Sequence, residues 1–155
     1  MLSFDLTEEQ LLLEQSVHEW AAREVAPRIR ELDRAHQFDR GILPQMAALG
    51  LLGVSVPTEY GVAGMDYICL GLASEELEYV DTSLRVILSV HVGLNSLTLL
   101  AWGTEDQKQR YLVPQAQGKK IATYGLTEPS AGSDARGIQT VAIKKGDRYE
   151  LTGEK

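Results

Sequence analysis

From Val86 to Thr104 the chain carries no charged side chain, and such a stretch belongs either in a bilayer or in a protein core. A bilayer-spanning helix needs about 20 predominantly apolar residues. Here Ser89, His91, Asn95, Ser96 and Thr98 are polar, and Gly93 and Gly103 interrupt the run. The reading is a helix from Leu84 to Trp102 inside a soluble protein, apolar on nearly all sides and packed around its circumference. No membrane span is expected.

Signals for further helices surround this one. Thr7-Glu-Glu-Gln10 has capping-box spacing, with Glu8 and Glu9 at the positive end of a helix dipole. Leu13, Val17, Trp20 and Ala21 then recur at helical spacing as an apolar stripe, and Pro27 is expected to kink or interrupt the element before it resumes to Asp33. A short helix is read over Ile42 to Leu49 with Gly50 as its C-cap, followed by an extended Leu51-to-Pro57 run. Asp66 reads as the N-cap of a helix whose face carries Leu70, Ala73 and Leu77, and Asp81-Thr-Ser83 supplies the next break and cap. Thr104-Glu-Asp-Gln107 repeats the capping box, Pro114 is expected to bend the stretch that follows, and Gly118 closes it.

Beyond Gly118 the periodicity changes. Ile121 to Leu126 reads as a strand, and Thr140 to Lys144 and Arg148 to Thr152 flank Lys145-Gly-Asp147 as a hairpin. The fold class is therefore mainly α: an N-terminal helical bundle over residues 1–118, then the beginning of an antiparallel β-barrel domain over 119–155. Two or three strands cannot bury a sheet face and its edges, so the β portion reads as incomplete.

Composition limits the partners. The chain has 155 residues, 44% hydrophobic, with a formal net charge of −7 and scattered Lys and Arg, so no basic face for nucleic acid is visible. The single Cys69 forms no internal disulfide and lacks the clustered spacing of a metal site. Met1-Leu-Ser-Phe-Asp5 lacks the regions of a secretory signal, and the expected location is cytoplasmic.

Tyr124-Gly-Leu-Thr-Glu-Pro-Ser-Ala-Gly-Ser-Asp134 is the stretch equipped for chemistry. Pro129, Gly132 and Gly137 force an ordered turn; Thr127, Ser130 and Ser133 offer hydroxyls; and the small residues from Ser130 to Ser133 leave backbone N–H groups open to an anion such as a phosphate. Glu128 and Asp134 read as turn-forming, solvent-facing or loop-bracing acids and are assigned no acid–base role. His91, a lone histidine, reads as hydrogen-bonded in the core or at its margin.

Thr127 to Ala135, T-E-P-S-A-G-S-D-A, resembles the flavin-contacting signature of the acyl-CoA dehydrogenase family, with Ser130 where Gly is commoner there. Gly50 to Gly64 resembles a second family signature, with Val62 again in place of Gly, and Gly103 to Tyr111 continues the likeness. The resemblance implies an N-terminal helical bundle, a middle β-barrel and a C-terminal helical bundle, with FAD and an acyl-CoA substrate between them. It implies oxidation of the thioester to its trans-2-enoyl product, with hydrogen bonds stabilising the developing enolate at the thioester oxygen. Tyr124, Gly125, Leu126, Thr127, Glu128, Pro129, Ser130, Ala131, Gly132 and Ser133 would then be the FAD-contacting segment. Thr127 would hydrogen-bond the flavin, and Ser133 would lie near both FAD and acyl-CoA.

By the same likeness Ile87, Val90 and Leu94, which share a helix face, would line the acyl-tail pocket; simple core packing is the alternative for each. Arg85 and Ser89, also on one face, resemble the carboxylate-recognising pair of glutaryl-CoA dehydrogenases. The family's catalytic Glu belongs to its C-terminal domain, so no catalytic residue and no metal ligand is assigned here. The complete polypeptide is expected to form a homotetramer and to pass electrons to an electron-transferring flavoprotein. The alternative class is a truncated, non-catalytic binding or assembly module.

Overall fold

The computed structural model describes residues 4–155; the reading of the first residues as a mature start rests partly on Met1, Leu2 and Ser3, which lie outside the described residues. The chain divides into two compact units between Thr123 and Tyr124, where the sequence reading placed the boundary after Gly118. The helical unit begins with α1 (Glu8–Trp20), whose Thr7 cap forms both halves of the expected box: Gln10 N–H donates to Thr7 Oγ1 at 3.3 Å and Thr7 N–H to Gln10 Oε1 at 2.9 Å. Leu13, Val17, Trp20 and Ala21 are buried, as the stripe requires.

Pro27 does not interrupt the helix. A π turn, Ala21–Val25, leads directly into α2 (Ala26–Arg34), where Pro27 sits in the first turn and its missing N–H costs no helical bond. After α3 (Ile42–Ala48), Gly50 takes φ 76° and the chain enters a 3-10 turn, Leu51–Gly53, rather than the extended run expected. The apolar composition was decisive for burial and not for conformation: Leu51, Leu52, Val54 and Val56 are all in the core. A Cβ on Gly53 would lie 2.8 Å from the Ala116 carbonyl oxygen, so this turn packs backbone against backbone.

Asp66 caps α4 (Tyr67–Val80) by accepting from Cys69 N–H at 2.8 Å, and Gln10 Nε2 donates to its other oxygen at 2.7 Å. That pair ties the start of α1 to the start of α4, and Leu13, Val17, Cys69, Ala73 and Leu77 share one core cluster. Full burial of one such leucine stabilises the fold by about 1.5–3 kcal/mol.

Asp81 caps α5 (Thr82–Leu88), which runs without a break through a π turn, Ser89–Ser96, into α6 (Leu97–Trp102). Thr82–Trp102 is long and apolar enough by length and composition to cross a membrane, with mean hydropathy 1.5. It packs along one side and not around its circumference. Leu84, Leu88, His91, Val92 and Ser96 are buried, whereas Val86, Leu94 and Trp102 are 40%, 45% and 86% exposed.

Thr104 forms the second capping box at α7 (Glu105–Gln107), followed by the π turn Lys108–Leu112 and α8 (Val113–Ala116). Gly118 then turns the chain at φ 69°.

The second unit is small. Glu128 and Ala131 exchange backbone hydrogen bonds at 2.8 and 3.1 Å around Pro129-Ser130, and a 3-10 turn, Ala135–Gly137, leads to β1 (Val141–Lys145) and β2 (Arg148–Thr152). The strands pair antiparallel with Val141 opposite Thr152 and Lys145 opposite Arg148, around Gly146 at φ 66°. Residues 121–127 form no strand. Their polar groups are met otherwise: Ala122 N–H donates to His91 Nδ1 at 3.0 Å, and the Thr123 carbonyl accepts from Asn95 Nδ2 at 3.0 Å.

Candidate cofactor loop and helix face

The loop Tyr124–Ser133 is organised from below by one carboxylate. Glu128 is turned into the protein and its side chain is 4% exposed. It accepts from Gln139 N–H at 2.6 Å, from Thr140 N–H at 3.0 Å and from Lys155 Nζ at 3.0 Å. Lys155 Nζ also donates to the Leu126 carbonyl at 2.8 Å. The Gln139 N–H above all, with Thr140 and Lys155 adding to it, holds the Glu128 carboxyl down at about 2. Glu128 is thus a brace of the loop, and its oxygens are committed inward. Asp134 does similar local work: its Oδ1 accepts from Arg136 N–H at 3.1 Å.

What the brace leaves outward is the hydrogen-bonding surface of the loop. Tyr124, Gly125, Thr127, Pro129, Ser130, Gly132 and Ser133 are exposed, Leu126 is half-buried, and Ala131 is buried beneath the turn. A Cβ placed on Gly132 would meet only Thr127 Cγ2, at 3.9 Å, so the backbone there is open to close approach. Three exposed hydroxyls beside a small-residue backbone suit the carbonyl and phosphate groups of a flavin nucleotide. The residues present therefore fit the cofactor implied by the sequence.

The other candidate residues lie on the long helix of the first unit. Ile87 packs partly against the core and Val90 is half-buried, while Leu94 faces outward. Arg85 and Ser89 are each occupied. Arg85 Nε donates to Glu78 Oε2 at 2.6 Å, and Ser89 Oγ donates to the Val86 carbonyl at 3.1 Å. Arg85 accordingly lowers the Glu78 pKa and spends its charge within the helical unit.

His91 is buried, with Nε2 donating to the Gln115 carbonyl at 3.1 Å and Nδ1 accepting from Ala122. Burial lowers its pKa and keeps the ring neutral. Cys69, pushed up to about 11 chiefly by burial and next by Asp66, stays a protonated core thiol. Among the described residues no group of three His, Cys, Asp or Glu is placed to hold a metal ion.

Sequence reasoning missed the partners of Glu128 and the role of Asn95. Gln139, Thr140 and Lys155 are ordinary surface residue types, and nothing in their spacing announces convergence on one carboxylate. Asn95 offered one signal, a primary amide within a charge-free helix, which requires a partner when half-buried.

The profile of the family described as "Acyl-CoA dehydrogenase, N-terminal domain" matches residues 7–119. The short-chain specific acyl-CoA dehydrogenase of Clostridium acetobutylicum is 44% identical over 154 residues, covering 99% of this chain and 41% of that protein. A chain in the solved structure of the electron transferring flavoprotein of Acidaminococcus fermentans superposes with a TM-score of 0.95 at 43% identity, over 98% of this chain and 40% of that one. The Bacillus anthracis acyl-CoA dehydrogenase complexed with FAD gives a TM-score of 0.89 at 35% identity, over 99% of this chain and 27% of that one. The chain thus spans about two fifths of the length of its first relatives. Fold, loop signature and likeness agree that this chain belongs to the acyl-CoA dehydrogenase family and corresponds to its N-terminal helical domain with the start of the β domain.

Proposed function

We propose that the chain is the front portion of an FAD-dependent acyl-CoA dehydrogenase that converts an acyl-CoA thioester to its trans-2-enoyl product. The observation that carries this reading is the outward surface of the Tyr124–Ser133 loop, with Thr127, Ser130 and Ser133 exposed above the committed Glu128. When bound, FAD supplies the acceptor for the hydride that leaves the β-carbon. The loop binds and orients it through the hydroxyls of Thr127 and Ser133 and the open backbone at Gly132. Glu128 has no part in proton abstraction, because its oxygens already accept from Gln139, Thr140 and Lys155. The α-proton goes to a base outside this chain. Ile87, Val90 and Leu94 give the long helix an apolar face for a short acyl tail.

A short-chain monocarboxylic substrate is favoured over a dicarboxylic one, since Arg85 is already paired with Glu78. An electron-transferring flavoprotein as acceptor, a homotetrameric complete enzyme and a reducing cytoplasmic setting belong to the same proposal; the buried free thiol of Cys69 accords with the last. The test is an anaerobic visible absorbance spectrum of the natural full-length product, before and after adding a panel of acyl-CoA thioesters. Bound oxidised flavin that bleaches with butyryl-CoA is the expected result. A folded protein that stays colourless with added FAD and ignores every thioester would overturn the proposal.

A further inference from the structure

We infer that His91 and Asn95 form a clamp that positions the cofactor loop, an inference that rests on the FAD reading above. Both side chains come from the π turn Ser89–Ser96, and together they grip one dipeptide, Ala122-Thr123, at the end of the helical unit. His91 Nδ1 accepts the Ala122 N–H and Asn95 Nδ2 donates to the Thr123 carbonyl, each at 3.0 Å. The grip is polar at both ends and specific in direction, one acceptor and one donor.

The clamp is itself held. His91 Nε2 is committed to the Gln115 carbonyl, which fixes the tautomer that leaves Nδ1 free to accept. Ser96 Oγ donates to the His91 carbonyl at 3.1 Å and so braces the widened turn. Residues 121–127 have no strand partner; these two side chains supply what a neighbouring strand would. Tyr124, the first residue of the loop, follows Thr123 directly in the chain. Fixing both the N–H of Ala122 and the carbonyl of Thr123 restricts the peptide from which the loop departs. Ordering of the loop before the ligand arrives then adds to cofactor affinity instead of subtracting from it.

The experiment uses the full-length protein with Asn95→Ala, which removes one end of the clamp from a half-buried site, and Thr98→Val as control. Thr98 Oγ1 donates to the Leu94 carbonyl on the same helix and touches neither Ala122 nor Thr123. Measured are FAD dissociation by flavin fluorescence, amide exchange of the 120–127 segment in the flavin-free protein, and its thermal unfolding. Asn95→Ala is expected to speed exchange in that segment and to weaken FAD binding about three- to tenfold, the equivalent of one net hydrogen bond. Thr98→Val should leave both unchanged. FAD affinity within twofold of wild type despite faster exchange would overturn the inference. So would equal weakening by Thr98→Val, which would mark a general loosening of the helix. A wild-type protein that binds no FAD would overturn the functional reading and this one with it, and differs from the other outcomes by appearing before any substitution is made.

Discussion

Replacing His91 by Phe tests the buried polar junction at the centre of the helical unit. The ring now satisfies two backbone groups from different segments, the Gln115 carbonyl and the Ala122 N–H. Phe keeps most of the volume and leaves both without a partner. Each unsatisfied buried group costs about 1–3 kcal/mol, and the apolar ring recovers part of that, so the expected net loss is about 2–4 kcal/mol. Against a total stability of about 5–15 kcal/mol this is large. Urea unfolding followed by the fluorescence of buried Trp20 should show a midpoint lower by about 1–2 M, at a slope of about 2 kcal/mol per M. The same substitution tests the charge state. Burial lowers the His91 pKa from 6.5, so below that pH the unfolded chain binds a proton that the folded chain resists. Stability from this group is therefore full above the unfolded value and is lost as pH falls through the folded value. His91→Phe should flatten that part of the pH profile. A loss below about 0.5 kcal/mol, or an unchanged slope, would refute the assignment of His91 as a neutral two-ended hydrogen-bonding group.

Glu128→Gln should speed amide exchange at Gln139 and Thr140 and loosen Lys155, because a neutral amide replaces three charge-assisted bonds. With its pKa depressed to about 2, wild-type Glu128 should hold the loop from neutral pH down past the usual carboxylate range and release it as pH falls through about 2, visible in the same amides. Thr7→Ala removes the first capping box and should cost about 1 kcal/mol in thermal unfolding, with Thr104→Ala costing about as much. Gly118→Ala forces a side chain into φ 69° and against Ala47 Cβ, so it should destabilise by more than about 1 kcal/mol in urea. Arg85→Ala should leave the preference between butyryl-CoA and glutaryl-CoA unchanged in steady-state assays of the full-length enzyme, whereas a selective loss of glutaryl-CoA turnover would restore the carboxylate-binding role.

Local chemistry made much of the fold legible. The Thr7 and Thr104 boxes, the Asp66 and Asp81 caps and the turns at Gly50, Gly118 and Gly146 each rest on interactions a few residues apart, and each is present. Burial along α1 was legible too, because Leu13, Val17 and Trp20 repeat at the helical period. Conformation failed where composition was mistaken for period: Leu51 to Val56 is apolar enough for a strand yet coils into a 3-10 turn, since Gly50 redirects it and Gly53 must approach Ala116. The Ile121-to-Leu126 strand failed for a different reason. A strand is defined by its neighbour, and here His91 and Asn95 take the neighbour's place. In the site, the loop's exposed hydroxyls could be read from residue types. The inward commitment of Glu128 could not, because it depends on Lys155 from the far end of the unit.

The π turn between α5 and α6 has a consequence for insertions and deletions. It accommodates one residue more than an α-helical turn would, and that extra residue changes the direction in which everything after it points. Leu84, Leu88 and Val92 before or within it belong to one apolar cluster, while Leu99 and Leu100 after it pack on a second cluster built around Val56, Tyr60, Leu112 and Ala116. Deleting Gly93, where an added Cβ would meet nothing within 4 Å, would trim the turn without an obvious local clash. It would also rotate α6 by about 100° against α5 and pull Leu99 and Leu100 away from their cluster. A single-codon deletion in an uncrowded spot would thus be felt in a different core, and the length of this helix is fixed by the angle between the two cores it serves.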